Sequence, residues 1–390
     1  MIVTHLSLTD FRNYETAEVP LQAGANLFVG SNGQGKTNLV ESLGYLSTLG
    51  SHRVSMDHAM IRQGQDSAVV RARLQSGDRQ LLVEVQLNRS TPNRAQVNRS
   101  VIKTRELPRY FSSVLFAPED LALIRGEPAG RRRFLDELLV LRAPRLGGVM
   151  ADYDRVVRQR NTLLKSARAS GLKEMQWGTL EIWDDRLVSL GTELVEARST
   201  LVSELQPEVS ASYIAVAGED HRATLASQLS IFTSHVDGDD SRESEPGSLR
   251  HDRLTPDNIT SAFRDALARL RRAELDRGVT LVGPHRDDLL LELNGLPAKG
   301  YASHGESWSF ALALKLASAT LLRRESATGD PVLMLDDVFA ELDTLRRGRL
   351  ASAVADFEQV LITAAVYDDV PEALTANTVR IARGAIVEPS

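Results

Sequence analysis

The feature that most constrains this chain is a glycine-rich octet, Gly30-Ser31-Asn32-Gly33-Gln34-Gly35-Lys36-Thr37. It matches the pattern GxxxxGK[ST], follows the short apolar stretch Leu27–Val29 and opens a helix-like segment, Asn38–Leu49. The glycines let successive backbone N–H groups point at phosphate oxygens, and the positive end of the following helix adds to the attraction. Lys36 is expected to reach the β- and γ-phosphates, and the hydroxyl of Thr37 to ligate Mg²⁺. The octet therefore predicts a nucleoside triphosphate site.

A wholly apolar stretch, Val332–Leu335, ends in the acidic pair Asp336 and Asp337. In nucleotide-hydrolysing proteins of this kind, a carboxylate at the end of a buried strand holds Mg²⁺ and another group orients water. Asp336 fits the first role and Asp337 the second, although an acidic pair after a strand can also simply cap a helix. The pair lies too far from the octet for a G-protein or an ordinary nucleotide kinase. We therefore expect a long insertion to interrupt the nucleotide-binding fold.

The middle of the chain has the pattern of such an insertion. From Leu138 to Leu205 apolar residues recur at spacings of three and four, and a second amphipathic helix is predicted from Ser261 to about Arg277. Between them, 234–256 is rich in Asp, Ser, Glu and Gly and predicts a flexible acidic loop. We predict two halves of an ATPase head at 1–140 and 279–390, separated by a helical lobe at 141–278.

The flanking segments alternate between strand and helix patterns, which predicts an α/β fold. The expected strands are Ile2–Leu8, Leu27–Val29, Ala68–Leu74, Gln80–Leu87, Leu289–Leu293, Val332–Leu335, Val360–Thr363 and Val379–Ala382. An Ala/Leu-rich helix is expected over Ser307–Leu322.

A second phosphate-binding helix start is predicted at Ser303-His304-Gly305-Glu306, where a small hydroxyl and a glycine precede that helix. Lys36 is already expected to bind the chain's own nucleotide. We therefore expect this segment to bind the nucleotide of another copy of the chain. The segment Ala340-Glu341-Leu342-Asp343 could line the same interface between two copies, or it could merely cap the next helix.

Charge limits how the chain can bind nucleic acid. The net charge is −6, so DNA binding would need a local basic patch. From 53 to 109 there are eleven basic and five acidic residues, while 234–256 carries an acidic excess. The candidate DNA contacts are Arg53, Arg71, Arg73, Arg94, Arg99, Lys103 and Arg105. These residues could instead lie on the solvent-exposed face of a sheet without binding DNA. Arg131–Arg133 form a second basic cluster, which could instead stabilise its own lobe through an ion pair of Arg132 with Glu119 or Asp136.

The absence of cysteine excludes disulfides, thiolate metal sites and cysteine nucleophiles. No apolar run is long enough to span a bilayer, and Met1–Asp10 lacks the profile of a signal peptide. These features predict a cytoplasmic protein.

The order of these motifs resembles the ABC-type ATPase heads of the SMC group and, more narrowly, the RecF family. The stretches that carry the resemblance are Leu6–Tyr14, Gly30–Thr37, Phe116–Leu121 with Gly126, Pro128, Arg131-Arg132 and Phe134–Asp136, Gly283–Asp288, and Leu335–Asp337 with Ala340–Asp343, Arg346 and Leu350. The resemblance runs from end to end. It implies an α/β ATPase head with a mixed sheet and flanking helices, interrupted by a short coiled-coil-like arm.

Three departures from the wider pattern stand out. Glu306 follows the signature glycine where the family more usually has glutamine, and Asp337 stands at the ABC catalytic glutamate position, as in other RecF-like chains. No histidine follows the strand Val360–Thr363, where transporter-type ABC proteins place a switch residue. Glu119 is the nearest candidate for the glutamine of the lid loop. We therefore expect weak ATP hydrolysis that acts as a switch.

The resemblance also implies a mechanism and partners. ATP and Mg²⁺ bind at Gly30–Thr37 and Asn38 with Asp336 and Asp337, while Ser303, Gly305, Glu306 and Asp343 of a second copy close over the nucleotide. The resulting homodimer clamps double-stranded DNA near single-strand junctions. RecR, with RecO, then directs RecA onto gaps, which supports DNA repair, replication restart and SOS induction in the nucleoid. The alternatives are an ATPase subunit of an ABC transporter, an SMC-like structural chromosome protein, and a nucleotide-binding scaffold with no role at DNA.

Overall fold

The computed structural model describes residues 1–170, 177–218, 221–233 and 254–387. Two compact units divide the chain. The first comprises Met1–Gly126, Pro207–Ala223 and Leu293–Ser390, and the second comprises Glu127–Gln206 and Thr224–Glu292. These limits differ from the domain boundaries at 140 and 278 predicted from the sequence, which remain a prediction about functional domains.

The strands cover every segment predicted as a strand, with bounds that extend beyond the apolar stretches. They are β1 (Ile2–Phe11), β2 (Tyr14–Pro20), β3 (Gly24–Val29), β4 (Ser67–Ser76), β5 (Arg79–Asn88), β6 (Arg94–Val97), β7 (Ser100–Ile102), β8 (Ser113–Phe116), β9 (Ala223–Gln228), β10 (Asp288–Leu293), β11 (Leu296–Pro297), β12 (Val332–Asp336), β13 (Gln359–Ala364), β14 (Asn377–Ala382) and β15 (Ala385–Val387).

The helices follow the predicted alternation in the first unit and dominate the second. They are α1 (Lys36–Thr48), α2 (Leu121–Arg125), α3 (Pro128–Arg142), α4 (Arg145–Ser170), α5 (Trp177–Ala217), α6 (Pro256–Arg277), α7 (Ala298–Tyr301), α8 (His304–Glu325) and α9 (Thr344–Val354). In the part of the chain that the structure describes, none of them is long and apolar enough to cross a membrane.

A largely parallel sheet of order β15-β14-β3-β13-β12-β8 forms the centre of the first unit. Every residue of β12 and β13 is buried, as expected for parallel strands covered on both faces. β13 pairs with β3 on one side and with β12 on the other. Because parallel strands end at the same edge, this order brings the residues after β3 and after β12 close together.

An antiparallel sheet of order β2-β1-β4-β5-β6-β7 lies in the same unit. Its strands alternate, so one face contributes side chains such as Val70, Val85 and Ala95 to the hydrophobic core. The opposite face is polar and carries Arg71 and Arg73 on β4. The sheet therefore presents a charged surface while its other side is packed.

The second unit is mainly helical, which confirms the predicted helical interruption of the α/β fold. Tyr153, Leu187, Leu194, Phe263 and Leu267 pack together in its core. Beside them, Arg160 is fully buried and donates to Asp184, Thr280 and Glu274 over 2.7, 2.9 and 2.6 Å.

The predicted acidic loop, 234–256, lies largely outside the described residues. Its last three residues, 254–256, are described, and Pro256 is the first residue of α6 and not part of a loop. The Thr255 side chain caps this helix by accepting a hydrogen bond of 3.3 Å from the Asn258 amide. Proline also suits the first helical position, since it has no amide hydrogen to leave unpaired there. The helix therefore starts before the predicted Ser261.

Candidate nucleotide-binding site

The glycine-rich loop connects β3 to α1 in a conformation that requires glycine. Gly35 has φ 114°, and a Cβ there would lie 2.8 Å from the side chains of Asn13 and Tyr14. A Cβ on Gly30 would overlap the carbonyl oxygen of Ile381. The glycines predicted from the motif are thus needed for the backbone path itself.

Neighbouring side chains form hydrogen bonds with this loop at Gln34 and Gly35. Ser31, Asn32 and Gly33, at its apex, are exposed. The Tyr14 hydroxyl donates to the Gly35 carbonyl over 3.1 Å, and Asn13 donates to the Gln34 carbonyl over 3.1 Å. The Gln34 side chain accepts from the Arg383 amide at 2.6 Å, so it supports the loop. The sequence motif gave no sign of these supporting contacts.

Helix α1 begins without any side-chain cap or first-turn acidic residue within the described chain. The positive end of its dipole is therefore not compensated by a side chain of the first turn, an arrangement that favours a bound phosphate. Lys36 folds back over the loop, and its Nζ donates to the carbonyls of Gly30 and Ser31 over 2.6 and 3.1 Å. Burial lowers the pKa of Lys36, an effect opposed by the charges of Asp337 and Asp336.

Asp336 lies at the end of β12, directly opposite the start of α1. Its Oδ1 accepts hydrogen bonds from Thr37 at 2.9 Å and from Thr363 at 2.6 Å. Burial raises the pKa of Asp336 to about 6, although these two hydrogen bonds oppose the shift. The negative charges of Glu119 and Asp337 raise it further. The structure thus brings both halves of the predicted nucleotide motif together.

Asp337 adopts a left-handed conformation, with φ 55° and ψ 22°. This conformation is uncommon for a non-glycine residue and is often found at functional sites. Its amide donates to the Thr363 hydroxyl over 3.0 Å, while its buried Oδ1 has no hydrogen-bond partner among the described residues.

Sequence reasoning missed His52, which lies close to this acidic pair. Its Nε2 is 3.9 Å from Oδ2 of Asp336, and burial lowers its pKa to about 4. The imidazole is therefore neutral at physiological pH. A lone histidine after a helix has no recognisable motif, so only the folded chain shows its proximity.

The oxygen donors at this site suit Mg²⁺ bound together with a nucleotide. Mg²⁺ typically takes one or two protein oxygens and completes its shell with phosphates and water. The Thr37 hydroxyl and the Asp336 carboxylate offer such a pair, already joined at 2.9 Å. The described residues contain no cluster of three His, Cys, Asp or Glu side chains able to hold a metal by themselves. The residues therefore fit a cation that arrives with phosphates.

The Ser303 segment forms the capped start of α8. The Ser303 hydroxyl accepts from the Glu306 amide at 3.3 Å, and Glu306 accepts in return from the Ser303 amide at 2.7 Å. These bonds to Ser303 lower the pKa of Glu306. A Cβ on Gly305 would lie 2.5 Å from a nitrogen of Arg346, whose amide donates to the Asp343 cap of α9 over 2.9 Å. The Ser303 and Asp343 segments are thus neighbours.

The two candidate phosphate-binding ends remain separate. The structure records no hydrogen bond or ion pair between described residues of 302–307 and those of 30–38. The predicted site residues therefore form two groups, one at Gly30–Asn38 with Asp336 and Asp337, and one at Ser303–Glu306 with Asp343.

The candidate DNA-binding residues differ in whether their side chains form ion pairs or hydrogen bonds within the protein. Arg71 forms an ion pair with Glu84, and Arg53 donates to Asn38 over 2.8 Å while lying 3.6 Å from Glu41. The remaining candidates are exposed and form no ion pair within the described chain: Arg73, Arg94, Arg99, Lys103 and Arg105. The effective positive patch is therefore smaller than the sequence count indicated.

The Arg131–Arg133 cluster is engaged inside the second unit. Arg131 is buried and pairs with Asp288 at 2.7 Å, and Arg133 pairs with Glu137 at 2.7 Å. Arg132 donates to the Asp287 carbonyl over 2.8 Å, and Asp136 pairs with Arg198. The hydrogen-bond partner of Arg132 is therefore neither Glu119 nor Asp136.

Known proteins resemble this chain over its full length. The model of the RecF/RecN/SMC N-terminal domain matches residues 2–386. The DNA replication and repair protein RecF of Leifsonia xyli subsp. xyli is 69% identical over 391 residues, covering 100% of both chains. RecF of Streptomyces avermitilis is 51% identical, covering 99% of each.

Solved structures give the same picture. The recombination mediator protein RecF with ATP, in the RecFOR pathway, aligns with TM-score 0.86 and 26% identity, covering 100% of this chain and 97% of that one. The Smc head domain of Pyrococcus yayanosii aligns with TM-score 0.54 and 13% identity, covering 100% and 97%, which shows likeness of fold alone.

Proposed function

The chain belongs to the RecF/RecN/SMC N-terminal domain family, and from this premise we propose that it is an ATP-dependent DNA-binding protein of recombinational gap repair. The proposal rests first on the hydrogen bond between Thr37 and Asp336, which joins the phosphate loop to the acidic strand. A relative of similar fold is an ATP-bound recombination mediator, which supports ATP as the nucleotide. Residues 1–140 and 279–390 would form the ATPase head, with 141–278 as its arm.

Each residue of the loop has a proposed role in binding ATP. The amides of Gly30–Asn38 surround the phosphates, and Lys36 leaves the carbonyls of Gly30 and Ser31 to contact the β- and γ-phosphates. Thr37 and Asp336 hold Mg²⁺, which neutralises phosphate charge when bound. Asp337, whose buried Oδ1 lacks a partner among the described residues, orients the attacking water. Hydrolysis is proposed to be weak and to act as a switch.

The Ser303 end of α8 is proposed to complete the site of a second copy. Support comes from its separation from the chain's own loop and from the polar start of this helix, where a hydroxyl and a glycine lie beside the Asp343 cap of α9. Ser303, Gly305, Glu306 and Asp343 would then close over the partner's nucleotide. Two such composite sites give an ATP-dependent homodimer.

Duplex DNA, including junctions with single strands, is the proposed ligand of this dimer. The exposed cations Arg73, Arg94, Arg99, Lys103 and Arg105 support phosphate contacts that do not depend on sequence. The RecFOR pathway named for a similar structure supports partnership with RecR and RecO in loading RecA. The proposed setting is the cytoplasm, at the nucleoid, in DNA repair, replication restart and the SOS response.

Fluorescence anisotropy of a labelled duplex, with and without ATP, tests this function. ATP should raise DNA affinity of the natural chain, whereas Lys36→Ala should lose ATP binding and with it the increase. Lys165→Ala, an exposed lysine on α4, serves as the matched control and should behave like the natural chain. DNA affinity that does not respond to ATP over a range of salt would contradict the proposal.

A further inference from the structure

The strand that usually precedes a switch histidine, β13, is followed here by Ala365, Val366 and Tyr367. A histidine nevertheless reaches the acidic pair from another part of the chain. His52, in the segment after α1, places Nε2 3.9 Å from Oδ2 of Asp336, with 16% of its side chain exposed. A histidine thus lies beside the end of the acidic strand, and it comes from the segment after α1 and not from the segment after β13.

The two oxygens of Asp336 have different surroundings. Oδ1 accepts from the hydroxyls of Thr37 and Thr363, whereas Oδ2 faces His52. A separation of 3.9 Å is too long for a hydrogen bond, but a small rotation of the ring or the carboxylate would close it. Hydrogen bonds therefore hold Oδ1 of Asp336 in place, whereas the distance between Oδ2 and His52 can still shorten.

Two buried polar atoms flank this carboxylate without partners among the described residues: Nε2 of His52 and Oδ1 of Asp337. A buried polar atom left unpaired typically costs about 1–3 kcal/mol, so such atoms are rare and often mark functional positions. Their grouping around one carboxylate indicates a site that is completed when the nucleotide is present.

The segment that carries His52 is held firmly by its neighbours. The Ser51 hydroxyl donates to Glu41 over 2.5 Å and accepts from the amides of Arg53 and Val54 at 2.9 and 3.1 Å. The Arg53 guanidinium donates to Asn38, on the first turn of α1, over 2.8 Å. His52 is thereby linked to the helix that starts at the phosphate loop.

We propose that His52 is a positioning residue for ATP hydrolysis, which donates from Nε2 to Oδ2 of Asp336 and fixes this carboxylate when the nucleotide binds. The inference rests on the proposed function. The histidine acts through Asp336 and is not proposed to contact the reacting phosphate. Its effect should fall on the chemical step and on the retention of Mg²⁺, because partners of metal-holding groups typically change metal affinity or activity 10- to 100-fold.

Three substitutions test this role: His52→Ala, His52→Gln and His52→Asn. Alanine should lower kcat about 10-fold or more, while KM and the Kd of a fluorescent non-hydrolysable ATP analogue change less than about twofold. Glutamine, whose amide N–H reaches as far as Nε2, should recover most of the activity, and the shorter asparagine should not. His5→Gln, an exposed histidine that pairs with Glu18, is the matched control and should leave kcat unchanged.

A second measurement is independent of turnover. The Mg²⁺ concentration needed for half-maximal analogue binding should rise about 10-fold or more in His52→Ala and return toward the natural value in His52→Gln. Unchanged kcat and Mg²⁺ dependence in His52→Ala would overturn the inference, as would a glutamine variant that folds and binds the analogue but remains as slow as alanine. If the natural chain itself failed to bind or hydrolyse ATP, the proposed function would fail instead, so the two failures are distinguishable.

Discussion

Thr37 donates a hydrogen bond of 2.9 Å to Asp336, a residue 299 positions further along the chain. The bond connects the first turn of α1, which follows β3, with the end of β12, and β13 lies between β3 and β12 in the sheet. The nucleotide site is therefore assembled from both ends of the sequence. The second partner of the same carboxylate oxygen, Thr363, comes from β13 itself and ties the three elements together.

Asp336→Asn should stabilise the nucleotide-free protein while abolishing ATP hydrolysis. Burial raises the pKa of Asp336 to about 6, so the folded chain binds this proton more tightly than the unfolded chain. Its contribution to the free energy of unfolding is therefore full below about pH 4 and is lost as the pH rises to about 6. Removing the charge should raise the free energy of unfolding above pH 6 by about 3 kcal/mol, since a tenfold change in proton affinity corresponds to about 1.4 kcal/mol.

Urea unfolding of both forms at pH 5 and pH 7.5, without nucleotide, checks this expectation. The advantage of the variant should be larger at pH 7.5. Asp343→Asn provides the contrast, because the cap hydrogen bond from the Arg346 amide lowers the pKa of Asp343 and outweighs the opposing effect of burial. A variant of Asp336 that is equally or less stable at pH 7.5 would show that burial does not penalise this carboxylate.

Ser303→Arg should prevent ATP-induced dimers without weakening ATP binding by the single chain. The bulky cation would occupy the helix start proposed to meet the partner's nucleotide, while the chain's own loop lies elsewhere. Light scattering with ATP measures dimer formation, and a fluorescent ATP analogue measures binding. Ser326→Arg places the same side chain at the other end of α8 and should still dimerise. Persistent dimers of Ser303→Arg would refute the composite site.

The double variant Arg73→Ala with Arg94→Ala should bind duplex DNA more weakly and with a shallower dependence on salt. Each lost phosphate contact should reduce the slope of log affinity against log salt by about 0.9. Arg71→Gln combined with Glu84→Gln is the matched control, because it removes an ion pair of no net charge from the same sheet. Anisotropy titrations between low and moderate salt give both slopes. Equal slopes in all three proteins would place the DNA contacts away from β4 and β6.

Arg160→Met should destabilise the helical unit by about 3–5 kcal/mol, because the buried Glu274 would lose its counter-charge while Asp184 would keep only its ion pair with Arg271. Arg160 contacts Asp184 and Glu274 at 2.7 and 2.6 Å and is fully buried. Arg155→Met, which removes an exposed pair with Asp152, should cost less than about 1 kcal/mol. Urea midpoints followed by circular dichroism compare the two. Similar midpoints would mean that the buried network contributes little.

Several elements could be predicted from the local pattern of the amino acids. The octet at Gly30–Thr37 specified its own loop, since φ 114° at Gly35 and the close neighbours of Gly30 require glycine. Apolar runs identified β12 and β13, because strands buried on both faces have no polar alternation. Helical spacing likewise identified α6, although its start at Pro256 depended on the Thr255 cap, which lies before the first apolar position.

Only the tertiary structure decided which distant side chains meet. Strand order placed Thr363 beside Asp336, and the segment after α1 placed His52 there. Neither residue belongs to a motif that a sequence search would select. Strand pairing also decided which arginines form ion pairs. Arg71 and Arg73 lie on the same face of β4, yet only Arg71 lies opposite Glu84 on β5 and forms an ion pair with it. The physical reason is that motifs encode local backbone geometry, whereas proximity and charge compensation depend on contacts between residues far apart in the chain.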